Sequence, residues 1–115
     1  MIKAVLYREG KDLTGCRLEG HSGWDDSGHD IVCAGASILG CTCVNALESV
    51  CGVIPEITEY NEDSGVLAFE LPAITEEENS KAQIVMNTLR QGLKDLADSY
   101  PRNVTFSIKE RRKQQ

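Results

Sequence analysis

From Ile31 to Cys51 the chain is apolar or small at nearly every position and carries one charge, Glu48. The run is too long for an ordinary strand and reads as a helix of about 30 Å at about 1.5 Å per residue, stopped by Gly52. A helix with so little polar surface has to be covered over much of its circumference, and the segments around it indicate the cover. Ile2 to Arg8 sets Ile2, Ala4 and Leu6 against Lys3, Val5 and Tyr7, and Cys16 to His21 sets Cys16 and Leu18 against Arg17 and Glu19. With Gly10, Lys11 and Asp12 as the turn, the two read as a hairpin. Ile57 to Glu62 and Val66 to Leu71 make a second hairpin around Asp63-Ser64-Gly65, closed by Pro72.

Thr75 to Tyr100 reads as a second helix. Thr75 and Glu78 have capping-box spacing, Glu76 to Glu78 suit the positive end of the helix dipole, and Pro101 forbids continuation. Ala82, Val85, Met86, Leu89, Leu93, Leu96, Ala97 and Tyr100 keep one face. A last strand alternates Val104, Phe106 and Ile108 with Thr105, Ser107 and Lys109, before a basic tail, KERRKQQ, that is expected to fray. The expected fold is therefore α+β, in the order strand, strand, helix, strand, strand, helix, strand. Five strands form a mixed sheet with two helices packed on it, in one domain spanning residues 1–115.

Charge and cysteine content narrow the function. The net charge is −6 and the pI lies near 4.8, which argues against nucleic-acid binding through a basic face and suits a basic partner. Met1 to Glu9 lacks the apolar core and cleavage site of a signal peptide, and no stretch is expected to span a membrane, so a cytoplasmic protein is expected. Cys16, Cys33, Cys41, Cys43 and Cys51 are odd in number and in a reducing compartment should be thiols.

Both histidines fall in one stretch, GHSGWDDSGHDIVC, from Gly20 to Cys33. His21 ends a strand, Ser22 to His29 form a loop, and Asp30 reads as the N-cap of the long helix, which places Cys33 at its third position. Unpaired N–H groups and the positive dipole end there favour a thiolate, and a nearby protonated His21 would push the same way. The pair has the parts of a Cys/His nucleophile and base. Ser37, four residues on, shares the helix face of Cys33 and can donate to the site or soften a helix contact. The bland reading is that a cysteine is usually core, which suits Cys16, Cys41, Cys43 and Cys51. A metal is not expected, because Cys41 and Cys43 stand about 200° apart around a helix and no paired-ligand spacing occurs.

The string Gly20-His21, eight residues, Asp30-Ile31-Val32-Cys33, three residues, Ser37 resembles the signature of the bacterial ribosomal-processing cysteine proteases, the Prp family. The opening M-I-K strand, the two hairpins, the two helices and the short last strand are similar to that family in length and order. The resemblance implies a cysteine endopeptidase that removes the N-terminal extension of large-subunit ribosomal protein twenty-seven during ribosome assembly, without a cofactor. The partner is then a basic protein, for which Glu56, Glu59, Glu62 and Asp63 with Glu76 to Glu78 are candidate steering charges. Cys33 attacks, His21 manages the proton, and N–H groups at the helix start hold the oxyanion. Asp30 either caps the helix or orients His21, and the cap is favoured. Gly20 and Gly23 let the backbone pass close to substrate, and Ser22, Gly23 and Trp24 belong to a substrate-facing loop that orders on binding.

Two other classes use the same residues: a non-enzymatic ribosome-associated module that binds a basic peptide, and a redox sensor built on Cys33. Finally, Val32, Ile38, Leu39, Val44, Leu47 and Val50 spread apolar surface over more of the long helix than one sheet face covers, which predicts a two-fold symmetric homodimer whose interface uses surface outside the Cys33 end.

Overall fold

The computed structural model describes residues 1–20 and 27–111, with residues 27–30 described by backbone alone. The N-terminal alternation becomes β1 (Ile2–Glu9) and β2 (Asp12–Glu19), antiparallel, with Ala4 opposite Leu18 and Leu6 opposite Cys16. β2 begins at Asp12 and not at Cys16. Its ladder with β1 runs on past Gly15, where a missing side chain hides the strand from any reading of side-chain alternation. It ends at Glu19, so the strand-end position expected for His21 lies outside the described residues.

β3 (Glu56–Asn61) and β4 (Val66–Glu70) form the second hairpin, and β4 pairs with β2 so that Phe69 faces Cys16 and Leu67 faces Leu18. β5 (Val104–Glu110) lies parallel to β1. The sheet order is β3-β4-β2-β1-β5, a mixed five-stranded sheet with two helices, as the pattern predicts. Leu6, Cys16 and Phe69 form a fully buried row across the strands and, with Leu47, Met86 and Leu93 from the helices, the centre of the core. Each such side chain stabilises the fold by roughly 1.5–3 kcal/mol through burial.

α2 (Glu76–Ser99) follows its sequence closely. Thr75 Oγ1 accepts from the N–H of Glu78 at 3.1 Å, and Glu78 Oε1 accepts from the N–H of Thr75 at 2.9 Å, which satisfies two donors that would otherwise be orphaned. Ala82, Met86, Leu89 and Leu93 are buried along one stripe, while Tyr100, expected on that face, caps the helix and stays exposed.

α1 (Ser27–Ser49) departs from its sequence at both ends. It opens at Ser27, a turn before the expected Asp30 cap, so Asp30 is the fourth helical residue and Cys33 the seventh. The apolar run marks where the helix is covered, whereas the helix itself continues through Ser27 to Asp30, residues that the positive dipole end tolerates. At the other end it stops at Ser49, and the closing residues turn back. Gly52 takes a left-handed φ of +69°, its N–H bonds Glu48 O at 3.0 Å and the N–H of Val53 bonds Leu47 O at 2.8 Å. Contrary to expectation, one stretch, Ile31–Ser49, is long and apolar enough to cross a membrane by length and composition. Here it lies on the sheet, with Val32, Ala36, Cys43 and Leu47 buried. Gly40 permits the approach, because a Cβ there would stand 2.6 Å from Leu18 Cδ1 and 2.9 Å from Leu67 Cδ2.

The basic tail is ordered further than expected. Strand pairing continues through Glu110, and Arg111 stacks over the Tyr7 ring at 3.6 Å and grips Glu70 with both terminal nitrogens, one at 2.7 Å. A bidentate guanidinium and a ring face together hold a segment that its composition alone would leave loose.

Candidate active site

Val32 and Ala36, one turn apart on α1, pack with Ile2 of β1 and Val104 of β5 in a small cluster that Cys33, Leu96 and Ala97 join from the side. Val32 is completely buried. This anchorage holds the N-terminal half of α1 down and leaves the neighbouring Cys33 half-buried on its flank. Cys33, Ser37 and Cys41 then follow one another at i, i+4 and i+8, and all three line a groove of about 320 Å³.

The near end of the groove is made by Ile2, Glu19 and Gly20. Gly20 has a φ of +147°, and a Cβ there would stand 2.8 Å from the Cα of Ile2. Only glycine lets the chain leave β2 so close to the start of β1. Leu18 and Leu67, paired across β2 and β4, face α1, and Tyr60, Asn61 and Glu62 at the end of β3 complete the lining. Of the expected site residues, Cys33, Ser37 and Gly20 thus come together. His21, Ser22, Gly23 and Trp24 lie outside the described residues, and Asp30 is placed by its backbone.

The long helix sets Cys33 differently from expectation. A seventh helical residue has its N–H inside the i to i−4 ladder, so the unpaired donors belong to the turn before it and the dipole has largely fallen off. The cap role expected of Asp30 does not fit this helix start, and the N–H groups of the helix start, expected to hold the oxyanion, belong to the turn before Cys33.

The five cysteines are thiols of different kinds. Burial, with the neighbouring Cys43 and Glu70 adding, pushes the Cys16 thiol far up. Burial and then Cys51 push Cys43 from the ordinary 9.0 up to about 12, and its Sγ lies 3.8 Å from Met86 Sδ. Neither can supply a thiolate near neutral pH. Cys41, expected in the core, is instead exposed and lines the groove with Cys33. Its i+8 spacing from Cys33 through Ser37 sets it near their flank, but exposure there is decided by what packs around the helix. Tyr60 and Leu67 gave none, since only the pairing of the second hairpin with β2 brings them opposite α1.

Charge around the groove is acidic. Among the described lining residues there is no lysine or arginine, and Glu19 is neutralised from outside by Arg17, through Nε at 2.9 Å and Nη2 at 2.6 Å. Arg17 Nη1 also bonds Glu59 at 2.8 Å. Of the other expected steering charges, Glu78 is held in the α2 cap.

Residues 1–105 match the family model described as "Cysteine protease Prp". A relative named Ribosomal processing cysteine protease Prp, from Staphylococcus aureus, is 32% identical over 108 residues, covering 94% of this chain and 97% of its own. Among solved structures, a crystal structure from Streptococcus mutans superposes with a TM-score of 0.86 at 32% identity, over 96% of each chain. The S. aureus protein described as an essential ribosomal processing protease Prp, solved with a substrate peptide, gives 0.82 at 26% identity, over 95% of this chain and 100% of that one.

Proposed function

The chain belongs to the cysteine protease Prp family, and from that membership we propose that it is an endopeptidase with Cys33 as nucleophile and His21 as its base, trimming the N-terminal extension of large-subunit ribosomal protein twenty-seven. The observation that carries the reading is the placement of Cys33, half-buried by an apolar anchor on one side and open to a peptide-sized groove on the other.

In the reaction the Cys33 thiol loses its proton to His21, and the sulfur attacks the scissile carbonyl carbon. The tetrahedral adduct collapses to a thioester as the C–N bond breaks, and the leaving amine takes the proton back from His21. Water, deprotonated by the same imidazole, hydrolyses the thioester and restores the thiol. Ser37, one turn from Cys33 and lining the same groove, is given the role of hydrogen-bonding the peptide, and Asp30 that of orienting His21, a reading supported by the helix start at Ser27. No cofactor enters this chemistry.

A cytoplasmic setting and a homodimer complete the proposal. Ile38 on α1 and Val50 just past its end are 66% and 67% exposed, which leaves apolar surface away from the Cys33 end for a second copy to cover. Incubation with a peptide carrying the ribosomal extension tests the function. Cleavage that disappears in Cys33→Ala is expected; binding without cleavage would identify a peptide-binding module instead, and cleavage retained in Cys33→Ala would overturn the nucleophile.

A further inference from the structure

The groove has two ends of different chemistry. Along α1 the contacts move from Ile2 and Val104, beside Cys33, to Leu18 and Leu67, beneath Gly40. At the far end stands Tyr60, a residue 58% exposed although it lies on the helix-facing side of the sheet, level with Leu67. Tyr60 donates its hydroxyl to Glu62 Oε1 at 2.9 Å. That bond, ahead of burial, the charge of Glu62 and Cys41, holds the phenol above its ordinary pKa, and Tyr60 and Cys41 both line the groove.

Glu62 differs from the other groove carboxylate. Glu19 is paired with Arg17, whereas among the described residues no ion pair involves Glu62 and no hydrogen bond reaches its second oxygen. An aromatic face and an unneutralised carboxylate side by side are the two groups that recognise an organic cation. From Cys33 to Cys41 the helix rises about 12 Å, the length of roughly three to four residues of extended peptide.

We propose that Tyr60 and Glu62 form a specificity subsite for a lysine or arginine side chain lying three or four residues from the scissile bond, its aliphatic stem against Leu67 and the Tyr60 ring and its charge on Glu62. The inference rests on the proteolytic reading and adds to it a position-specific demand for positive charge. It differs from general steering by an acidic surface, which would reward a cation anywhere in the peptide.

A peptide that the wild-type protein cleaves is scanned with Lys, Gln and Glu at each of the five positions on either side of the cut, and kcat and KM are measured separately. Replacing the cation by Gln at one position, three or four residues from the cut, raises KM about fivefold with kcat unchanged, the size of an exposed ion pair joined to a cation–π contact. Glu62→Gln brings the cationic and the Gln peptide to the same KM, and Glu62→Lys reverses the preference toward Glu at that position alone. Charge preference that is unchanged in Glu62→Lys, or spread evenly over all positions, overturns the subsite while leaving the protease intact. Failure of the wild type to cleave any peptide overturns the protease reading, and the subsite falls with it.

Discussion

The two helices of this protein do opposite work, and their sequences differ accordingly. α2 carries a capping box at its start, a proline after its end and a narrow buried stripe of Ala82, Met86, Leu89 and Leu93 between them. All of its local signals agree, and it contributes no described residue to the groove. α1 is apolar nearly all round, starts a turn before its apparent cap, and leaves Ile31, Ile38 and Cys41 exposed while it carries Cys33 and Ser37 on a flank. Local rules are obeyed where a helix only supports, and are relaxed where one also has to present chemistry.

The sharpest separation of the two is kinetic. Cys33→Ala in α1 is expected to lower cleavage by about a thousandfold or more while moving stability by less than about 0.5 kcal/mol. His21→Ala should match it, and the double mutant should be no worse than either alone. A peptide-cleavage assay beside a thermal melt reads both, and additive losses would break the dyad.

Leu93→Ala in α2 is the mirror experiment. The side chain is fully buried in the main cluster, so its loss should cost about 2–5 kcal/mol, lower the melting temperature and leave kcat of the folded fraction within about twofold. Urea titration supplies the first number and single-turnover cleavage the second. A normal melt would mean that α2 is less committed to the core than its stripe indicates.

Where the helices touch, Cys43 of α1 against Met86 of α2, the prediction is one of pH. The folded thiol titrates at about 12 and the unfolded one at the ordinary 9.0. Its contribution is therefore fully present below about pH 9 and is lost as pH rises toward 12, by about 1 kcal/mol at pH 10. Stability measured from pH 8 to 10.5 should fall less steeply in Cys43→Ala than in wild type, and equal slopes would reject the burial account.

The helix starts give the smallest effects. Thr75→Ala should cost about 1 kcal/mol, since it removes an acceptor that the structure shows in use. Asp30→Asn, inside a helix that has already begun, should cost less than about 0.5 kcal/mol. A large loss of cleavage in that stable variant would support an orienting contact with His21, and a loss of stability equal to that of Thr75→Ala would restore the cap.

Much of this protein was determined along the chain itself. Alternation, turn glycines, the Thr75–Glu78 box and Pro101 specify the elements and their order, because each depends on neighbours within a few residues. The spacing of Cys33 and Ser37 likewise places both on one helix flank before any fold is known. Only tertiary structure decided that Cys41 belongs to the groove and Cys43 to the core, that Arg111 is held by Tyr7 and Glu70, and that Tyr60 and Glu62 stand across from α1. The physical reason is that exposure and opposition depend on what packs on a residue from elsewhere. Here it is the register of β2 with β4, which joins segments about fifty residues apart and leaves no mark in the local pattern of either.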